Sequence, residues 1–155
     1  MREPNLEIER KYLLRALPPE AGRCRSVLID QGYLPGERIR ERVRRISDRS
    51  GERYVRTLKL GRGIARQEFE EETTAEVFGA LWSVTRGKRL QKRRYFVPEG
   101  RLTWEVDDFT DRDLVLAELE IPSVDFRVVI PGWLEPYLIR EVTEEKGFGN
   151  HELAR

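Results

Sequence analysis

The sequence predicts a mainly β domain (α+β), its strands closing into a barrel with short helices packed outside, and three observations carry that prediction. Apolar and polar residues alternate with period two through most segments between Gly and Pro turns. The charges on those segments come as same-sign neighbours two apart: Glu7/Glu9, Arg42/Arg44, Glu68/Glu70, Lys92/Arg94, Glu105/Asp107 and Glu118/Glu120. Charge as a whole is nevertheless balanced, 29 Lys and Arg against 28 Asp and Glu, so the segregation is local.

The first strand, residues 6–12, sends Glu7, Glu9 and Lys11 to one face and Ile8, Arg10 and Tyr12 to the other. Pro18-Pro19 breaks the chain, and residues 26–34 form a strand that Pro35-Gly36 ends. Residues 38–44 follow, with Arg40, Arg42 and Arg44 on one parity. Residues 53–60 return as the second arm of a hairpin, across a connection at 48–51 that reads as longer than the tightest turns. The next strand, 65–73, carries Glu68, Glu70 and Glu72 on one side. Thr73 and Glu76 resemble a capping box for a short helix ending near Gly87, in which Val77, Phe78, Leu81 and Trp82 fall at helical spacing. Strands are expected at 89–97, with Lys92, Arg94 and Phe96 on one face, at 101–109 and at 114–121. Pro122 stops the last of these. Beyond it the sequence predicts a short helix over 123–130, a loop over 133–137, a final strand at 139–143 and a helical turn at 150–154.

Two placements of the charges compete. A two-layer sheet would leave them in water, which accounts for each strand taken singly. It accounts poorly for the set, because like charges along a strand repel, and solubility asks only for mixed surface charge. Closed into a barrel, the strands turn the charged face inward and leave the apolar face for the helices to cover. Unpaired buried charges are strongly destabilising, so such a lining implies ligands that neutralise it. Arg forks and Lys ammonium groups match phosphate oxygens. Paired carboxylates match hard divalent cations such as Mg²⁺ or Mn²⁺, which bridge to phosphate. The ligand deduced is a polyphosphate held with its metal.

The 155 residues are read as one domain, 1–155. A net charge of +1 provides no global field for nucleic acid or an anionic membrane, and no basic, aromatic-rich face suits stacked bases. Without a run of 18 apolar residues or an apolar leader, the chain is expected to be cytoplasmic. Cys24 stands alone, which excludes an internal disulfide and suits a reducing compartment. A single His151 beside a single Cys leaves a zinc site or a Cys/His nucleophile pair unsupported. Gly61-Arg62-Gly63 lacks the rest of a Walker-type phosphate loop.

Those residues together resemble the CYTH superfamily, also called the triphosphate tunnel metalloenzymes, whose hallmark is an N-terminal E-x-E-x-K, here Glu7, Glu9 and Lys11. The similarity runs nearly end to end through Gln31-Gly32-Tyr33-Leu34, Arg42-Val43-Arg44, Thr57-Leu58-Lys59 and Arg66-Gln67-Glu68-Phe69-Glu70. It continues through Lys92-Arg93-Arg94-Tyr95, Trp104-Glu105-Val106-Asp107, Glu118-Leu119-Glu120 and Glu141-Val142-Thr143. The resemblance implies a closed eight-stranded antiparallel β-barrel forming a tunnel, and metal-dependent hydrolysis or cyclisation of a triphosphate. It implies metal sites at Glu7, Glu9, Glu118 and Glu120, with Glu68, Glu70, Glu105 and Asp107 as further acidic lining. Lys11, Arg42, Arg44, Lys59, Lys92 and Arg94 would grip the phosphates, and Arg40, of the same parity as Arg42 and Arg44, would replace or assist one of them. In the tail, where relatives often carry a basic residue and then Tyr before Asn, this chain has Gly147-Phe148-Gly149-Asn150, and Lys146 stands nearby to compensate.

The leading expectation is hydrolysis of inorganic tripolyphosphate to pyrophosphate and phosphate, because Gln31-Gly32-Tyr33-Leu34 resembles the small bacterial inorganic triphosphatases. A class IV-type adenylate cyclase and a thiamine triphosphatase are the alternatives, although such relatives commonly show an Asp-x-Tyr-Phe-like segment there. A non-catalytic polyphosphate- or nucleotide-binding module is the reading from a different class. Chemically, the carboxylates would hold Mg²⁺ or Mn²⁺, and Lys92, beside the like-charged Arg94, would orient or deprotonate water, giving Lys92, Arg94, Glu7 and Glu9 catalytic parts. The expected partner is a small-molecule triphosphate, and a homodimer would have to use outer helices or loops.

Overall fold

A computed structural model describes residues 5–61 and 63–155. Residues 1–4 and Arg62, at the centre of the Gly61-Arg62-Gly63 segment, lie outside the described residues. The described strands are β1 (Leu6–Leu14), β2 (Ser26–Tyr33), β3 (Arg40–Asp48), β4 (Gly51–Leu60), β5 (Ala65–Thr73), β6 (Arg89–Glu99), β7 (Leu102–Phe109), β8 (Val115–Glu120) and β9 (Leu138–Glu141). They form one antiparallel sheet in the order β5-β4-β3-β2-β6-β7-β8-β1-β9, and an added β1–β5 pairing closes the first eight into a barrel. β1 makes the closure by dividing one edge between two partners. Leu6, Glu7 and Ile8 face Gln67, Arg66 and Ala65 of β5, and further along Tyr12, Leu13 and Leu14 take β9. β8 runs along the other edge.

The expected parity holds, and it places the main hydrophobic core outside the barrel. Ile8, Tyr12, Leu14, Val97, Trp104, Val106, Ala117 and Leu119 point outward and are all buried. The chain after β8 covers them with Ile121, Phe126, Val128, Ile130, Trp133 and Leu134. Trp104 meets Tyr12 at 5.5 Å and the edge of Trp133 at 6.3 Å between ring centroids. Burial of side chains of this size stabilises by about 1.5–3 kcal/mol each, which offsets the cost of a charged interior.

Residues 123–130 do not form the expected helix. A turn in which Phe126 N–H donates to the Ser123 carbonyl (3.1 Å) leads into an extended run, where partly buried Phe126, Val128 and Ile130 alternate with exposed Arg127 and Val129. An extended segment advances about 3.3 Å per residue against 1.5 Å in a helix, so a few residues span the sheet they cover. The period-two face is the one that the covered surface selects. Residues 135–137, expected as loop, form one 3₁₀ turn (Glu135–Tyr137).

The β3–β4 hairpin is tighter than expected. Asp48 pairs directly with Gly51, leaving a two-residue loop of Arg49 and Ser50. Asp48 Oδ1 accepts from Ser50 N–H (2.8 Å) and Oγ–H (2.6 Å), and Gly51 takes φ +131°. Three short helices lie outside or at the end of the barrel: α1 (Pro19–Gly22), α2 (Ala75–Trp82) and α3 (Asn150–Leu153). The cap of α2 is Thr74, whose Oγ1 accepts from Val77 N–H at 3.1 Å, one residue later than the Thr73/Glu76 box. α2 brings Trp82 and Thr85 against Gly32 of β2, so closely that a Cβ there would lie 2.7 Å from Thr85 Oγ1. Among the described residues no helix is long and apolar enough to cross a membrane.

Candidate active site: a charge-lined tunnel

The inward row of the barrel is ionic. Lys11, Arg42, Arg44, Lys92, Asp107 and Glu118 are buried, Lys92 and Asp107 completely. Two cavities follow this row and share Glu9, Lys59 and Asn150 as walls. The smaller, about 310 Å³, is lined by Glu7, Arg42, Arg44, Glu68, Glu70, Arg94, Glu105 and Glu118, with Arg25 and Arg53 also on its wall. The larger, about 490 Å³, is lined by Lys11, Tyr33, Arg40, Arg66 and the tail residues Lys146, Phe148 and His151. An apolar plug of Leu13, Tyr33, Leu90, Phe109 and Leu116, packed against Val142, Phe148, Leu153 and Ala154 of the tail, fills the barrel at the α3 end.

The strand register sets the ion pairs. Arg94 opposes Asp107 across β6–β7, and its guanidinium donates Nε–H and Nη2–H to the two carboxylate oxygens at 2.7 and 2.8 Å. It also reaches Glu118 at 3.3 Å and pairs with Glu105. Lys92 forms an ion pair with Asp107 Oδ2 (2.8 Å) and donates to Asn150 Oδ1 (3.1 Å). Lys11 opposes Glu118 across β1–β8, lies 3.2 Å from its Oε1, and donates to the Phe148 carbonyl at 3.1 Å. Arg42 pairs with Glu68 (3.0 Å), Lys59 approaches the same carboxylate at 3.5 Å, and Arg44 pairs with Glu70.

The lattice stays incomplete on both signs. The buried Nε donors of Arg42 and Arg44 have no hydrogen-bond partner, and Oε2 of Glu68 and Oε1 of Glu118 meet only the ammonium groups of Lys59 and Lys11, as ion pairs without a hydrogen bond. The Lys11–Glu118 contact is therefore an ion pair at short range whose hydrogen-bond geometry is poor. Buried polar atoms are nearly always satisfied in folded proteins, so such a cluster within one cavity marks a place built for a polar ligand.

Titration follows the same pattern. Burial, with the repulsion of Glu9, pushes the Glu7 carboxyl up to about 7 against the pull of Lys59 and Arg42. Burial and Arg42 bring the Lys59 ammonium down to about 7. Burial lowers Lys92 to about 8 despite Asp107, with Arg94 adding to the fall. Glu118 behaves oppositely: burial works against its charge, but Lys11, Arg94 and Lys92 hold it well below the usual carboxylate range. Asp107 is likewise held low by Arg94 and Lys92 against its burial. The interior thus contains acids and bases that are strained in their charged forms next to others that are locked ionised.

Of the residues expected at the site, Glu7, Glu9, Lys11, Arg42, Arg44, Lys59, Glu68, Glu70, Arg94, Glu105 and Glu118 line the two cavities. Arg40 stands in the larger cavity, away from Arg42 and Arg44. Glu120 shares the parity of Glu118 and pairs with Glu9 across β1–β8, but it is exposed and lines a recess with Arg101, Thr103 and Glu105, the last of which also lines the small cavity. Lys92 and Asp107 lie behind the walls, bonded to residues that form them. Sequence reasoning assigned no part to Gln31, fully buried with Nε2–H donating to Tyr33 Oη at 3.0 Å, or to Asn150. Gln31 and Tyr33 share a parity within a segment already singled out, which was an available signal. Asn150 reaches the tunnel through the tail, and strand parity carries no signal for it.

Oxygen donors of the right chemistry for a hard divalent cation are present. Among the described residues no three His, Cys, Asp or Glu side chains converge as a ready metal cluster. The donor set nonetheless fits such an ion: Glu7 is destabilised as an anion by burial and by Glu9, one oxygen of Glu118 makes no hydrogen bond, and Glu7, Glu9 and Glu118 line one cavity.

Comparison with known proteins agrees with this geometry. No family model matches the chain. An inorganic triphosphatase of Nitrosomonas europaea is 38% identical over 155 residues, covering 96% of each chain. An inorganic triphosphatase of Acetivibrio thermocellus is 29% identical over 153 residues, covering 96% of this chain and 93% of that protein. A crystal structure of an inorganic triphosphatase superposes with a TM-score of 0.66 at 34% identity, over 96% of this chain and 97% of the other. A putative adenylate cyclase from Bacillus halodurans shares the fold at 13% identity, with a TM-score of 0.54 over 85% of this chain and 98% of the other.

Proposed function

The chain belongs to the inorganic triphosphatases of the CYTH superfamily, and we propose that it hydrolyses inorganic tripolyphosphate to pyrophosphate and phosphate inside the tunnel. The observation that carries the substrate class is that Arg42 and Arg44, whose buried Nε donors have no hydrogen-bond partner, stand in the wall of the small cavity that Glu7 and Glu9 also line. Guanidinium N–H groups with no protein acceptor are bidentate sites for phosphate oxygens. The cavity also favours an inorganic anion over a nucleotide. Its aromatic wall, Phe96, already carries the Arg25 guanidinium over one face at 4.1 Å, which a base would have to displace to stack there.

Arg42, Arg44, Arg94 and Lys59 take the phosphates, Glu68 and Glu70 hold the two arginines in place, and Lys11 closes the row beside the tail. Glu7, Glu9 and Glu118 would hold a divalent cation, Mg²⁺ or Mn²⁺, which when bound supplies Lewis-acid neutralisation of phosphate oxygens. Glu120 contributes from the mouth rather than the wall. Charge placed where it develops accounts for most of phosphoryl-transfer catalysis, and this interior holds its charges fixed before substrate arrives. Lys92 has the lowered pKa of a base, but its position behind Asp107 and Asn150 suits a positioning role for Arg94 and the tail. The reaction is assigned to the cytoplasm, where the free thiol of Cys24 stays reduced.

The test is phosphate release from tripolyphosphate beside ATP, each with Mg²⁺ and with EDTA. Rapid EDTA-sensitive release from tripolyphosphate and little from ATP is expected. No release from either substrate overturns the proposal.

A further inference from the structure

The two cavities share three walls, and two of these, Glu9 and Lys59, already belong to the ionic row. The third, Asn150, is neutral and comes from the tail. Its side chain has a defined direction. Lys92 Nζ is a donor with no acceptor capacity, so the carboxamide must turn its oxygen toward it, as the 3.1 Å contact with Oδ1 records. The amide nitrogen then faces the other way. Nδ2 makes no hydrogen bond among the described residues, and it is not one of the buried unpartnered atoms. Its two N–H donors are therefore unused on a residue that lines both cavities, as the Glu9 carboxylate and the Lys59 ammonium do.

The placement is held from both sides. Lys92 is itself pinned by Asp107 at 2.8 Å and is fully buried, so it cannot follow a mobile partner. The tail is stitched to β6 by reciprocal backbone bonds between Arg89 and Arg155, at 3.0 and 2.8 Å, and Leu153 and Ala154 are buried in the plug.

We propose that Asn150 is a substrate-binding residue: Lys92 orients its carboxamide so that Nδ2–H donates to a phosphate oxygen of the triphosphate where the two cavities meet. A neutral donor at this point adds a phosphate contact without adding another cation to the crowded set of Lys11, Lys59 and Lys92. The inference rests on the tripolyphosphate reading and assigns this residue a part in it. It also gives Lys92 a part in binding that needs no contact with the substrate.

Asn150→Asp separates this role from a structural one. The carboxylate keeps, and strengthens, the acceptor for Lys92, but it replaces the donor with an anionic oxygen. Tripolyphosphate is titrated calorimetrically in EDTA into wild type, Asn150→Asp and Asn150→Ala, with melting temperatures and steady-state kinetics in Mg²⁺ measured on the same preparations. The expected result is an Asn150→Asp protein that melts no lower than wild type, yet binds tripolyphosphate about tenfold or more weakly and shows a matching rise in KM. Asn150→Ala should also bind more weakly. Wild-type affinity and KM in Asn150→Asp, whatever the alanine variant does, overturn the inference. If wild type itself neither binds nor turns over tripolyphosphate, the parent reading falls with it, whereas normal wild-type turnover with an unaffected Asn150→Asp overturns this inference alone.

Discussion

Replacing Asp107 by Asn tests whether the interior is a lattice of mutually dependent charges. The side chain is wholly buried, accepts two charge-assisted bonds from Arg94 at 2.7 and 2.8 Å, and forms an ion pair with Lys92 at 2.8 Å. Asparagine has nearly the same shape, so packing is preserved while one carboxylate oxygen becomes an amide that faces donors. Breaking a buried pair by removing one partner's charge costs about 3–5 kcal/mol. For a domain of this length each kcal/mol moves the midpoint by about 2–4 °C, so the Tm at pH 7 should fall by about 6–20 °C. The pH dependence has a definite sign. The carboxyl of Asp107 is held below its ordinary value in the fold, so its contribution is present above the unfolded pKa and is lost as pH falls through the folded one. The gap between wild type and Asp107→Asn should accordingly be widest near neutrality and narrow in acid. Thermal denaturation of both proteins from pH 3 to pH 8 measures it. Equal midpoints at pH 7, or a gap that widens as pH falls, would refute the lattice.

Other consequences can be measured on the same footing. Glu7, raised to about 7, binds its proton more readily folded than unfolded, so its contribution to stability declines as pH rises from the ordinary carboxylate range through 7. Glu7→Gln should therefore raise the metal-free Tm above pH 7 and leave it unchanged below about pH 4, in a differential scanning series. Gly32→Ala would set a methyl 2.7 Å from Thr85 Oγ1 and 2.9 Å from Trp82. Overpacking of that kind costs about 1–3 kcal/mol, a fall of about 2–12 °C in Tm with the m-value unchanged. Lys92→Ala should lower kcat/KM by a similar factor across pH 6–9 if Lys92 positions Arg94 and Asn150; a flattened pH profile would instead mark it as the base, and full turnover would remove it from the mechanism.

The barrel was legible in the sequence because strand parity is a two-residue rule that long-range context does not disturb. Glu7, Glu9 and Lys11, or Glu105 and Asp107, must share a face wherever their strands sit, and same-sign pairs on one parity point to an enclosed surface. Parity alone does not say how far along the tunnel a side chain stands. Glu120 and Glu118 are equivalent by that rule, yet one is exposed at a recess beside Glu105 and the other is buried in the wall of the small cavity. Arg40 separates from Arg42 and Arg44 for the same reason. The run 123–130 was misread because its apolar residues fit both periods, and the sheet beneath it decided for the extended one. Asn150 stood in the sequence only as the end of the Gly147-Phe148-Gly149-Asn150 tail and was given no role of its own, since its approach depends on the closure of the tail onto β6, a contact between Arg89 and Arg155 that no local pattern encodes.

The central claim is that the inward charges of the barrel are a binding site for tripolyphosphate and a divalent cation. A crystal structure with tripolyphosphate and Mn²⁺, phased to show anomalous scattering from the metal, tests it most directly. Phosphate oxygens are expected on Arg42, Arg44 and Arg94 in the small cavity, with the anomalous peak among Glu7, Glu9 and Glu118. Tripolyphosphate bound only outside the barrel, or a metal peak away from those three carboxylates, would contradict it.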